Sequence, residues 1–308
     1  MNNVYLGTYT RKSSEGIYKI VLDDNLKEAK LYAKVANPTY LSFGENTKEL
    51  YTVMQEGDSS GIGKVISGEL VDKRVAPANP PCFVSYYDNK VYSAYYHDSK
   101  VHIDDDDQRV INYNSGSKTH FVSHDPFNNW MWVCNLGSNS ISIYDQETLV
   151  DTIVFEGNPG PRHIAFLRSN KIAYVICELS NEVYMIDYRE DVSIITSYKF
   201  EVSDGLNESA AIKLSKDDKY LYTSTRGDDF ITVYEVMEDY TLKQIQKIST
   251  YGKHPRDFDI SPDNKYLIVG NRDTNSLTLF TIEKGKLTLK QKDVFVPEVV
   301  CVLFEGEK

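Results

Sequence analysis

Histidines, arginines and one glutamate recur along this chain where alternating apolar runs begin or end. His120, Arg162, His163, Arg256 and Asp257 sit at the starts of such runs, and Asn135, Glu178, Arg226 and Asn271 at the ends of the runs that follow. Arginine holds phosphate or carboxylate through forked hydrogen bonds. A neighbouring histidine or glutamate can take a proton from water as a general base. An arginine can also stabilise the oxyanion of an ester-like transition state. By residue type, Glu178, His163, His120 and Arg226 are the candidate catalytic groups. Arg162, Arg256, Asp257, Asn135 and Asn271 are the candidate substrate-binding groups. The combination suits opening of a lactone in an anionic substrate. Lys118, Glu208, Gln55, Glu56, His97 and Arg272 occupy equivalent run ends.

Other arrangements offer less. His120 and His124 are four apart, which on a strand puts them on one face but too distant to share a zinc ion. Asp104 to Asp107 lacks the spaced acids and glycine of a calcium loop. Gly57 to Lys64 faintly resembles a phosphate-binding loop, but Val65 follows the lysine where Ser or Thr is required. Ser123, Ser209 and Ser224 have no GxSxG context. No metal or cofactor is implied.

The candidate residues need elements that bring them together, and an internal repeat supplies these. One copy runs Pro161-Arg162-His163-Ile164-Ala165-Phe166, then Ala173 to Glu178, then Val183 to Asp187. Another begins at Ala211 and passes through Tyr220 to Gly227 and Ile231 to Tyr234. A third begins at Pro255. Taking Pro38, Pro81, Thr119, Pro161, Ser209, Pro255 and Val300 as equivalent, successive copies lie 38 to 48 residues apart. The apolar positions alternate with period two, which marks strands rather than helices. Units of this length with about four strands are propeller blades.

Seven anchors predict an all-β, seven-bladed propeller of four-stranded antiparallel blades, with residues 1–308 forming one domain. The segment Val300 to Phe304 supplies one strand. Val4 to Tyr9 and Gly16 to Leu22 supply two more that lack a first strand, with Lys30 to Val35 as a fourth. One blade closed by both ends of the chain follows, and closure removes exposed edges. In a propeller, the start of strand one and the end of strand two meet at one mouth of the central channel. The scattered polar residues then converge there.

Composition narrows the partners. The net charge of −11 over 308 residues shows no basic face, so nucleic acid is not expected. The N-terminal residues Met1 to Gly7 carry neither a basic nor an apolar leader region, and no apolar run reaches membrane length. Cys82, Cys134, Cys177 and Cys301 are widely spaced, as in a reduced cytoplasmic protein with buried thiols. Twenty-three tyrosines favour strands. No pattern in the sequence specifies an oligomeric state.

The chain resembles the lactonase family of seven-bladed propellers, which includes bacterial 6-phosphogluconolactonases and relates to carboxymuconate-lactonizing enzymes. The resemblance spans essentially the whole chain. It is carried by Gly7-Thr8-Tyr9-Thr10 with Gly16-Ile17-Tyr18, and by Asn37-Pro38-Thr39-Tyr40-Leu41. It is carried further by Gly160-Pro161-Arg162-His163 with Glu178-Leu179, by Leu221-Tyr222 with Arg226-Gly227, and by Pro255-Arg256-Asp257-Phe258 with Asn271. It implies a hydrolase that opens a sugar lactone, 6-phosphogluconolactone of the pentose phosphate pathway being the leading substrate. His120, Arg162, His163, Glu178, Arg226 and Arg256 match the family's functional positions. The chain departs from the family pattern at Lys118, Asn135 and Thr225, where His, Asp and Asn are frequent. A muconate-type lactonizing lyase or isomerase, and a non-catalytic propeller binding a metabolite or protein, are the competing readings.

Overall fold

The computed structural model describes residues 2–104 and 108–306. Asp105 to Asp107, most of the acidic run, lie outside the described residues.

Seven four-stranded antiparallel sheets make up the ring. Their innermost strands are Leu41–Phe43, Phe83–Tyr87, Thr119–His124, Pro161–Phe166, Glu208–Leu214, Pro255–Ile260 and Val299–Phe304. Six sheets use four consecutive strands. The seventh joins Val299–Phe304 to Asn2–Thr8, Gly16–Leu22 and Lys30–Lys34. Val4 pairs with Phe304 and Gly7 with Cys301, so both ends of the chain zip the ring shut. We number this closing blade 1 and the others 2 to 7 along the chain.

Burial follows position within the blade. The second strand of blade 5, Ile172–Cys177, is buried at every residue, whereas its outer strand, Ser193–Lys199, has no buried residue and alternates between exposed and half-buried only from Ile195 onward. A strand covered on both faces carries a continuous apolar run, and a half-covered one alternates. The core lies mainly between adjacent blades. Trp132 of blade 4 packs edge-on against Phe166 and Tyr188 of blade 5, with ring centres 5.5 and 5.3 Å away. Two inner strands begin later than the sequence suggests, at Leu41 and Phe83 rather than Pro38 and Pro81. Proline cannot donate to the ladder and here precedes the strand.

One irregularity recurs and decides the site. In blade 4, Thr119 pairs with Asn135 and Phe121 with Cys134, leaving His120 as an extra residue. In blade 5, Pro161 pairs with Cys177 and His163 with Ile176, leaving Arg162. In blade 7, Pro255 pairs with Asn271 and Asp257 with Gly270, leaving Arg256. Each is a β-bulge, which breaks the alternation and re-aims a side chain.

Candidate active site

The three bulge residues meet at one mouth of the channel. His120, Arg162 and Arg256 line a cavity of about 250 Å³ together with Glu178 and Arg226. Glu178 directly follows the second strand of blade 5, and Arg226 ends the second strand of blade 6. The amide of Glu178 donates to the Gly160 carbonyl at 2.8 Å, fixing the carboxylate beside the start of its own inner strand. Gln55 and His97, at the corresponding ends in blades 2 and 3, also line it. Ligand pockets for drug-sized molecules run to several hundred Å³, so this mouth suits a small metabolite.

Charge is concentrated around Glu178. Its Oε2 accepts from Arg162 Nε at 2.7 Å and lies 2.9 Å from Arg226 Nη2. Arg226 also approaches Glu208, 3.4 Å away. The backbone holds both guanidinium groups: Arg162 Nη1 donates to the Ala210 carbonyl at 2.5 Å, and Arg226 Nε to the Glu208 carbonyl at 3.2 Å.

Residues 3–304 match the family described as Lactonase, 7-bladed beta-propeller. The chain belongs to the lactonase family. It is 33% identical to the 6-phosphogluconolactonase of Bacillus subtilis (strain 168), over 97% of each chain. A Lactobacillus plantarum protein of solved structure superposes with a TM-score of 0.91 at 32% identity, covering 99% of both chains. The periplasmic gluconolactonase PpgL of Pseudomonas aeruginosa shares the fold, with a TM-score of 0.86 and 21% identity over 98% of both chains.

Within this lactonase-family mouth, the electrostatics separate the groups. Burial pushes the Glu178 carboxyl up, but Arg162, Arg226 and Arg256 outweigh it and hold the pKa below the usual glutamate range. Glu178 is therefore an ionised anchor and a weak base. Burial, reinforced by Arg162, Arg256 and Arg226, holds His120 well below the ordinary histidine pKa. Its imidazole is neutral at pH 7, and its buried Nδ1 has no hydrogen-bond partner among the described residues. Burial pulls Arg226 down to about 10, which leaves it cationic. Cys82 also lines the cavity, with its thiol pushed up to about 11 by burial despite the nearby Arg162 and Arg256. That thiol stays protonated and is no nucleophile at neutral pH.

Four of the nine candidate residues do not line the mouth. His163 is next to a bulge rather than in it, so its ring lies behind the mouth, 5.1 Å from the His120 ring and with Nε2 3.2 Å from Arg162 Nη1. It packs between Phe83 and Phe121 and lines a second cavity of about 240 Å³ at the other end of the inner strands. Asp257 is buried, and its Oδ2 accepts from the Val302 amide at 2.9 Å, latching blade 7 to blade 1. Asn135 is fully engaged between strands, accepting from Thr119 Oγ1 at 2.9 Å and donating to Ser142 Oγ at 3.3 Å. Asn271 is its counterpart in blade 7, donating to Thr278 Oγ1 at 3.1 Å. Both asparagines pair opposite inner-strand residues that are not bulged, so they point into the sheet stack. His124, at the far end of its strand, stacks on Tyr87 with ring centres 4.0 Å apart. Among the described residues no cluster of His, Cys, Asp and Glu could hold a metal ion.

Tyr9, Arg11, Asn37 and Tyr96 also line the mouth. Tyr9 and Asn37 stand in the motifs that carry the family resemblance, but neither is charged, so residue type alone does not mark them. Arg11 sits in the turn after the second strand of blade 1, beyond the strand end at Thr8.

Proposed function

We propose that this protein hydrolyses a phosphorylated sugar lactone, with 6-phosphogluconolactone going to 6-phosphogluconate. The observation that carries the reading is the convergence of Arg162, Arg226 and Arg256 with Glu178 and neutral His120 on one small cavity. Water attacks the lactone carbonyl, and the ring C–O bond then breaks. The ring oxygen leaves as a hydroxyl by taking up the proton removed from the attacking water, and the new carboxylic acid loses its own proton to solvent to give the carboxylate. His120 takes the proton from the attacking water, because it lines the cavity and its imidazole is unprotonated. Arg162 and Arg226, fixed by backbone carbonyls, offer donors to the oxyanion without moving, the arrangement that lowers such barriers most. Glu178 keeps the two guanidinium groups together and offsets their repulsion. An incoming anion also counters the arginine field on His120 and raises its proton affinity when catalysis needs it.

The test is hydrolysis of freshly generated 6-phosphogluconolactone by purified protein, corrected for spontaneous opening, beside Arg256→Ala. Turnover well above background that the substitution reduces at least about tenfold supports the reading, since a charged hydrogen bond of ~1.5–3 kcal/mol corresponds to that factor or more. A rate at background for the native protein overturns it.

A further inference from the structure

Positive charge in the mouth is unevenly matched. Arg162 and Arg226 lie against Glu178, and Arg226 also against Glu208. Arg256 and Arg11 form no carboxylate pair among the described residues; both sit on one tyrosine ring instead. Arg11 Cζ is 4.1 Å and Arg256 Cζ 5.5 Å from the centre of Tyr9, whose hydroxyl accepts from Arg256 Nη1 at 2.7 Å. Two guanidinium groups sharing one ring repel each other, more strongly as water is excluded.

The loop that carries Tyr9 and Arg11 is held from two sides. Buried Glu298 accepts from the backbone amides of Arg11 at 3.2 Å, Lys12 at 2.9 Å and Ser14 at 3.4 Å. Its carboxylate is directed at amides and leaves the guanidinium free. On the other side, Asn37 Oδ1 accepts from the Thr10 amide at 3.0 Å, and the Asn37 amide donates to Thr10 Oγ1 at 3.1 Å. A loop fixed in this way holds Arg11 and the Tyr9 ring beside Arg256, on the inner strand of blade 7, before any ligand arrives, so binding does not have to order them.

We propose that Arg11, Tyr9 and Arg256 form a phosphate subsite, separate from the Glu178 group, that takes the phosphate monoester at the end of the sugar remote from the reacting carbonyl. Forked donors from two guanidinium groups suit a dianionic phosphate. The tyrosine fixes the orientation of one guanidinium and supplies a stacking surface for both. The assignment deepens the lactonase reading and depends on it for the reaction, but not for binding.

Equilibrium calorimetry with 6-phosphogluconate and gluconate tests the subsite without turnover. The native protein is expected to bind the phosphorylated acid at least about tenfold more tightly, and Arg11→Gln to remove about tenfold of that preference, the loss of one charged hydrogen bond. Arg11 is exposed, so its replacement leaves the fold intact. Glu298→Gln, which loosens the loop without touching either cation, is expected to reduce the preference as well. Equal binding of the two acids by the native protein, or an unchanged preference in Arg11→Gln, overturns the subsite. A protein that opens no lactone yet shows the Arg11-dependent preference retains the subsite and overturns the lactonase reading. One that opens lactones with no phosphate preference does the reverse.

Discussion

Arg162 Nε lies 2.7 Å from Oε2 of Glu178, closing the inner hairpin of blade 5 on itself at the channel mouth. The side chains retain only 3% and 13% of their exposure, so solvent screens the pair weakly. Arg226, from the next blade, reaches the same oxygen at 2.9 Å. One carboxylate thus ties two blades together and sets the charge of the cavity.

Glu178→Gln keeps the shape and removes the charge. Breaking a buried pair from one side costs about 3–5 kcal/mol, because the partner stays buried and unpaired. Glu178→Gln is expected to lower the unfolding free energy by about 3 kcal/mol and to cut kcat by ~100-fold or more as the donors to the oxyanion splay apart. Urea melts and turnover measured on the same preparation check both. Near-normal turnover would remove Glu178 from the site.

The His120 and His163 rings lie 5.1 Å apart, but only His120 lines the mouth. His120→Gln is expected to lower kcat by ~100-fold or more, the usual range for a lost general base. His163→Phe, set among Phe83, Phe121 and Tyr40, is expected to cost far less. In the native protein the acid limb of kcat/KM reports free His120 and that of kcat reports the substrate complex. The kcat limb is expected at the higher pH, because bound anion counters the arginines. Limbs that coincide, or a larger loss in His163→Phe, would contradict the assignment of the base.

Stability is expected to fall on acidification. Burial holds His124 and His254 down to about 4, and His120 and His163 well below the ordinary value. When the chain unfolds, each histidine takes up a proton near pH ~6.5. Their contribution is complete above that pH and is lost as pH falls from there toward ~4. Glu178 acts in the same direction at lower pH, since its folded pKa is also depressed. Urea midpoints at pH 7.5 and 5.5 test this; a midpoint that rises at the lower pH would contradict the burial account.

Asn135 is expected to matter for the fold and little for the substrate. Asn135→Ala leaves the Thr119 hydroxyl without its acceptor and strips a buried link to Ser142, which costs about 1–3 kcal/mol. The melting temperature is expected to drop while KM stays within about threefold. A large rise in KM with an unchanged melting temperature would return Asn135 to the binding site.

The sequence by itself determined the architecture. Period-two alternation in units of 38 to 48 residues specified seven blades, and the orphan strands at the two ends specified how the ring closes. These properties are legible because burial on a sheet has a fixed period, and a repeat writes it seven times. The rule that strand-one starts meet strand-two ends also followed from topology, and it placed His120, Arg162, Glu178, Arg226 and Arg256 at one mouth. Tertiary structure alone decided which neighbour of each pair faces the cavity. A bulge adds one residue and reverses the alternation, so Arg162 faces the mouth and His163 does not, although the two are adjacent. The bulge depends on how the inner strand packs against its neighbours, and local composition does not encode it. The same holds for Tyr9 and Arg11, which reach Arg256 only because ring closure brings the first turn of the chain beside blade 7.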